Sequence, residues 1–245
     1  MAIRICPSIL NADYSQLKSE IERVATADLL HLDVMDNLFV PNKTFTLDEC
    51  KEIIANSAIP VDSHLMIADP DISAIKYAEA GSSSVTFHLE ASQNPLATIL
   101  LLKRSGVRVG VAIKPKTSFE SVANLLEQID MLLIMTVEPG FGGQSFMADQ
   151  LPKIEEARAA ILKLGSTHPW LQVDGGISLE TISLAANAGA DTFARILIVL
   201  RVRVIVGSDQ RSHKYATAGP GHQPSPSRRP DQLGGWLVVV RRWLR

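Results

Sequence analysis

The sequence predicts a closed α/β barrel of eight parallel strands, the TIM or (β/α)8 architecture, with its last βα unit altered or incomplete. Three observations point there. Short β-branched apolar runs alternate with longer amphipathic segments, the pattern of βα units wound around a parallel sheet. A length of 245 residues suits one barrel domain, which commonly runs to about 250 residues. No Gly-x-Gly-x-x-Gly follows the first apolar run, which disfavours an open dinucleotide-binding sheet.

The elements follow in order. Strands are expected over 3–10, 29–36, 61–67, 84–90, 107–114, 131–137 and 170–174, with an eighth starting near Ala190. Between them, amphipathic spacing predicts helices over 14–27, 47–56, 71–80, 96–105, 119–129, 151–164 and 179–188. Asp69-Pro70 and Asn94-Pro95 place a cap residue before a proline suited to a first turn. Gly81, Gly106, Gly165 and Gly189 stand just past helix ends, where a left-handed residue closes the last turn.

Composition narrows the function classes. With 46% hydrophobic and 20% charged residues, the chain is globular and neither disordered nor fibrous. No apolar run reaches the 18 or so residues of a membrane helix, and the opening MAIRICPSIL is too short in apolar residues for a signal peptide. Cys6 and Cys50 make no disulfide framework and lack metal-ligand spacing, so a cytoplasmic protein is expected. The net charge of −2 conceals an asymmetry: residues 1–194 carry −10, and residues 195–245 carry +8.

The chemistry concentrates at the carboxyl ends of the expected strands, where a barrel builds its active site. Residues two apart on a strand share a face, so His31, Asp33 and Met35 project together, as do His64 and Met66. Asp174 ends the seventh strand in VDGG. A lone histidine on an apolar strand is more often a hydrogen-bonded core residue. Two histidines and two aspartates from three strand ends instead suit a first-row divalent ion with positions left open for substrate oxygens. His88 and Glu90, a further same-face pair, fit a polar support behind that layer.

The segment EPGFGGQSF, 138–146, follows the sixth strand, and Gly175-Gly176 follows the seventh. Gly140, Gly142 and Gly143 clear side chains from backbone N–H groups that then close on an anion. Two such clusters at adjacent strand ends point to phosphate. Met35, Met66 and Met135 also lie near strand ends, and by residue type alone they read as core filler.

Taken in order, PSILNADYSQL, HLDVMDNLFVPN, SHLMI, Lys114-Pro115, MTVEPGFGGQSF, VDGGI and GADTF resemble the ribulose-phosphate 3-epimerase family over residues 3 to about 193. That resemblance implies a barrel enzyme that interconverts D-ribulose 5-phosphate and D-xylulose 5-phosphate through an enediolate. It implies one divalent metal ion, Zn, Fe(II), Mn or Co, held by His31, Asp33, His64 and Asp174, with Asp33 and Asp174 as the acid-base pair. It implies substrate contacts from Ser8, His64, Met35, Met66 and Met135, and phosphate contacts from Gly142, Gly143, Gly175 and Gly176. The partner implied is a small sugar phosphate, with neither membrane nor nucleic acid, and a homo-oligomer is compatible. A related ketose-phosphate 3-epimerase acting on allulose 6-phosphate is the alternative, because the reacting end of the two sugars is shared.

After GADTF the chain departs from the family. It reads ARILIVLRVRVIVGSDQ where the family has a Gly-Ser pair and a closing helix, and Gly207-Ser208 comes too late to serve. Residues 1–194 are therefore expected to form the catalytic barrel, and 195–245 an aberrant basic tail, partly disordered over its Pro, Gly, Ser and Arg-rich stretch 213–235. Its aromatics, Tyr215, Trp236 and Trp243, are too scattered for a nucleic-acid stacking platform. The abrupt change fits a shifted reading frame, in which case an adjacent frame of the coding DNA encodes the Gly-Ser loop and closing helix. A non-catalytic remnant disabled by that tail is the contrasting expectation.

Overall fold

Eight short apolar runs become parallel strands because each is bounded by turn chemistry and flanked by a helix that returns the chain to the same end of the sheet. In the computed structural model, which describes residues 2–165 and 169–196, these strands are β1 (Arg4–Ser8), β2 (Leu30–Met35), β3 (Val61–Met66), β4 (Ser84–His88), β5 (Arg108–Ile113), β6 (Met131–Met135), β7 (Trp170–Asp174) and β8 (Thr192–Ile196). Each pairs with the next and β8 closes on β1, giving the eight-stranded parallel barrel that the sequence predicts. The outer ring comprises α1 (Leu17–Arg23), α2 (Leu47–Asn56), α3 (Pro70–Glu79), α4 (Pro95–Arg104), α5 (Glu120–Ala123), α6 (Leu151–Leu162) and α7 (Leu179–Ala188). Among the described residues no helix is long and apolar enough to cross a membrane.

Local chemistry explains most helix ends. At α2, Thr46 and Glu49 form a reciprocal capping box, which contributes about 0.5–2 kcal/mol. Asn94 caps α4 by accepting from the Ala97 amide at 3.2 Å, with Pro95 in the first turn. Past α7, Gly189 adopts φ +116°, and a Cβ there would lie 2.6 Å from the Cβ of Arg158. That close approach lets Arg158 donate to the Gly189 carbonyl and to Asp191, both at 2.7 Å, while Asp191 receives the Leu171 amide at 3.1 Å. Strand β8 is thereby fastened to β7 at its start.

Two helices differ from expectation. The stretch 14–27 begins as a 3-10 turn over Tyr14–Gln16, because the Asp13 side chain accepts from the Ser15 amide at 3.0 Å and tightens the entry before α1. The stretch 119–129 splits into α5 and a 3-10 turn at Leu126–Gln128. Its apolar residues Val122, Leu125, Leu126 and Ile129 keep helical spacing and are all buried, so periodicity identified the packed face. The α-helical bonding nonetheless stops at Asn124, a residue type that competes poorly within helices. The expected boundary at 194/195 rests on composition, and the expectation of a partly disordered basic tail falls, from residue 197 on, outside the described residues.

A buried or half-buried carboxylate that braces a turn should show in both stability and its pH dependence. Asp71 accepts from the hydroxyls of Ser92 and Thr98 at 2.5 Å each and from the amides of Gln93 and Asn94 at 2.8 and 3.1 Å, tying α3 to the start of α4. Partial burial opposes its ionisation, but these bonds outweigh burial and hold the carboxyl below its ordinary value. The stabilisation is thus present above the unfolded carboxyl pKa of about 3.9 and lost as pH falls through the lower folded value. Asp71→Asn is expected to lower the unfolding free energy by about 1–3 kcal/mol at neutral pH. In urea titrations repeated down the acid range, the difference from wild type should shrink; an unchanged neutral-pH midpoint would contradict this bracing.

Candidate active site

The strand register decides which polar side chains meet. Asp33 on β2 lies opposite His64 on β3, and Met35 opposite Met66, while Met135 on β6 lies opposite Asp174 on β7. His31, Asp33, His64 and Asp174 each offer a donor atom, and all four atoms lie within 4.8 Å of one another. His31 and His64 are fully buried, and the Asp33 and Asp174 side chains are only 4% and 14% exposed. The four residues expected to act together are therefore brought to one point.

Each is held from behind. Ser8 donates its hydroxyl to Asp33 Oδ2 at 2.6 Å. Thr44 Oγ1 donates to the Asp33 carbonyl at 2.7 Å and accepts the Met35 amide at 2.9 Å, fixing the end of β2. Thr136 donates to the carbonyls of Asp174 and Gly175 at 2.9 and 2.6 Å, fixing the end of β7. His31 Nδ1 lies 2.9 Å from Asp62 Oδ2, and His64 Nε2 lies 3.0 Å from His88 Nε2.

The cluster is electrostatically divided. Burial disfavours a charged imidazole, but Asp33 and Asp62 outweigh it and hold His31 well above the ordinary value. Burial likewise opposes ionisation of Asp33, yet His31 and His64 hold that carboxyl far below the usual range. Burial, reinforced by the Asp33 charge, pushes Asp174 up to about 6. Burial also pushes His88 down to about 4.

A divalent ion fits these residues. His31 Nε2 is buried without a hydrogen-bond partner, 3.4 Å from Asp33 Oδ1 and 4.0 Å from Asp174 Oδ2. Two carboxylates and two imidazoles supply the mixed oxygen and nitrogen donors that first-row ions take, and the ring nitrogen left unbonded is the one that faces the carboxylates.

Above the cluster opens a solvent-facing pocket. Asp33, Asp174, Met35, Met66 and Met135 line its floor, and Gly142, Gly143, Gly175 and Gly176 line one wall. Gln144 donates to the carbonyls of Glu138 and Phe141 at 2.6 and 2.9 Å, so its side chain folds the 138–146 loop on itself. Asn42 donates to the Gly140 carbonyl at 3.0 Å and ties that loop to the one after β2. Ser8, 1% exposed, sits beneath the floor with its hydroxyl committed to Asp33. The amides of Gly175 and Gly176 take no acceptor among the described residues.

The chain matches the Ribulose-phosphate 3 epimerase family over residues 4–198. It is 46% identical over 189 residues to the ribulose-phosphate 3-epimerase of Mycobacterium leprae, covering 77% of this chain and 84% of that one. The chain belongs to the ribulose-phosphate 3-epimerase family. It is 41% identical over 197 residues to ribulose-phosphate 3-epimerase 1 of Cupriavidus necator, covering 78% and 82% of the two chains. Among solved structures, 3-hexulose-6-phosphate synthase from Salmonella typhimurium superposes with a TM-score of 0.57 at 20% identity over 79% of this chain and 89% of that one, a likeness of fold alone.

As a member of this family the chain is an enzyme of the epimerase class. Sequence reading missed Asp62, Gln172 and Thr136, which hold the site from beneath. The signal for two of them was present: Asp62 precedes His64 by two residues, as Gln172 precedes Asp174, so each shares the inward face of its strand.

The wall of the cavity depends on a backbone that other residues cannot adopt. Gly176 has φ +66°, and a Cβ there would run into the backbone of Phe146. Gly176→Ala should reduce the unfolding free energy by more than about 1 kcal/mol. Chemical denaturation checks it, and a variant as stable as wild type would mean that this wall yields.

Proposed function

We propose that this enzyme inverts C3 of D-ribulose 5-phosphate to give D-xylulose 5-phosphate, using Asp33 and Asp174 as a two-carboxylate acid-base pair. The observation that carries the reading is the convergence of these carboxylates from β2 and β7, at one cavity floor, with two buried imidazoles. The names of its relatives support the same substrate. The catalytic domain is assigned to residues 1–194, although β8 carries the barrel two residues further, to Ile196; the family match ends nearby, at residue 198.

Epimerisation beside a carbonyl requires a proton to leave one face of the carbon and return to the other. Two carboxyls on different strands meet that need, one accepting the C3 proton and the other delivering one to the opposite face of the enediolate, with their roles exchanged in the reverse direction. Bound zinc, iron(II), manganese or cobalt, held by His31, Asp33, His64 and Asp174, supplies Lewis-acid stabilisation of negative charge on the C2 and C3 oxygens. His64 borders the reacting carbon together with Met35, Met66 and Met135, whose apolar side chains keep water from the enediolate. Ser8 acts through Asp33, restraining the orientation of its carboxylate. Amides of Gly142, Gly143, Gly175 and Gly176 receive the phosphate, whose charge suits their unsatisfied N–H groups.

Two measurements test this. Exhaustive chelation should abolish turnover of ribulose 5-phosphate in a coupled assay, and added divalent ion should restore it; full activity after chelation would end the metal-dependent reading. Asp33→Asn and Asp174→Asn should each lower turnover by a factor of about 10² to 10⁴. A larger kcat/KM for allulose 6-phosphate than for ribulose 5-phosphate would reassign the substrate.

A further inference from the structure

We propose that two carboxylates outside the ligand cluster, Asp62 directly and Glu90 through His88, fix the ring tautomers of His31 and His64 and thereby aim one lone pair of each at the divalent ion. This deepens the metal-dependent reading above and rests on it.

The case for His31 is immediate. A carboxylate only accepts hydrogen bonds, so the His31 Nδ1 that lies 2.9 Å from Asp62 Oδ2 carries a proton, and Nε2 is the nitrogen whose lone pair is free for an ion that displaces any proton there. Nε2 is the atom that faces Asp33 and Asp174. Asp62 is 1% exposed and has no freedom to turn away, because Ser84 donates to its Oδ1 at 2.5 Å and Gln172 to its Oδ2 at 3.0 Å.

His64 presents the other nitrogen. Its Nδ1 lies 3.1 Å from Asp33 Oδ1, within hydrogen-bonding range, and 3.7 Å from Asp174 Oδ2; an ion bound at Nδ1 displaces the proton from that contact, which places the ring proton on Nε2. That Nε2 is 3.0 Å from His88 Nε2, and a single proton serves the contact, which makes His88 Nε2 the acceptor. The proton of His88 then sits on Nδ1, 3.2 Å from Glu90 Oε2. Glu90 is anchored in turn by the Lys114 amide at 2.6 Å and the Thr117 hydroxyl at 2.5 Å. A chain of acceptors and donors thus runs from the rim of the barrel to a ligand nitrogen.

The strand register accounts for the unlike nitrogens. Asp33 pairs with His64, so those two stand in one layer, while His31 lies two residues back along β2 and one inward layer deeper. From that depth His31 reaches the ion with its distal nitrogen, and His64 reaches it with the nitrogen nearer its own backbone. Asp62, Glu90 and His88 are positioning residues, since they act through the two ligands. Such partners of metal-bound histidines affect metal affinity by roughly 10- to 100-fold.

The test uses the full chain loaded with zinc. Long-range ¹H–¹⁵N correlation of the imidazoles should place the His31 proton on Nδ1, the His64 proton on Nε2 and the His88 proton on Nδ1. Competition against a chromophoric chelator should show zinc held roughly 10- to 100-fold more weakly by Asp62→Asn and by Glu90→Ala, with thermal midpoints of the chelated proteins close to wild type. Glu90 is at the rim, its side chain 22% exposed, so Glu90→Ala carries the test if the buried Asp62→Asn variant does not fold. The inference is overturned if both ligand histidines carry their proton on the same type of nitrogen, or if either folded variant binds zinc as tightly as wild type. Wild type that binds no zinc would instead sink the metal-dependent reading itself.

Discussion

Two carboxylates buried beside each other at the mouth of a barrel set the constraint to which the surrounding structure answers. Removing either charge from water costs several kcal/mol, and their mutual repulsion adds to that. Asp33 keeps its charge against two imidazoles, and Asp174, pushed up to about 6, is the carboxyl that yields. The same arrangement favours a compact positive charge at its centre, which is why a divalent ion suits it. Ser8, Thr44 and Thr136 then have a common purpose: each spends a hydroxyl on holding one of these strand ends where repulsion would move it.

The barrel makes such a cluster tolerable. Parallel strands end side by side, so residues remote in sequence meet without any loop having to close over them. The pocket lining is divided chemically, with carboxyls and methionines below and glycine backbone at the side, and the imidazoles lie buried beneath. A fold alone does not specify this chemistry. The Salmonella typhimurium synthase shares the barrel at 20% identity, whereas family membership here rests on the 40%-range similarity to named epimerases.

Legibility from sequence varied with the range of the interaction concerned. The strand and helix pattern was readable because burial imposes a period on the residues themselves, and the helix-terminal glycines were readable because a left-handed backbone excludes most side chains; Gly81, Gly106, Gly165 and Gly189 all have positive φ. Helix extent was less readable at 14–27 and 119–129: at the first the Asp13 side chain offers the backbone a local alternative, and at the second the α-helical turns stop at Asn124, neither of which periodicity registers. His31, Asp33, His64 and Asp174 could be named as a group since alternation along each strand puts them on inward faces. Asp62 and Gln172 share those faces, but a buried aspartate and glutamine announce a role only when their partners are known, and Asp62 meets Gln172 across 110 residues of chain.

The amino-acid sequence by itself determined the class of barrel, the family, the histidines and aspartates at the strand ends and the glycines that line one side of the pocket, because each is written in local spacing or in contiguous motifs. Tertiary structure alone decided which nitrogen of each histidine faces the carboxylates, which carboxylate holds its charge and what stands behind the cluster. Those properties depend on distances between strands and on the water that closure of the barrel excludes. Such quantities come into being only when the eight strands are in register.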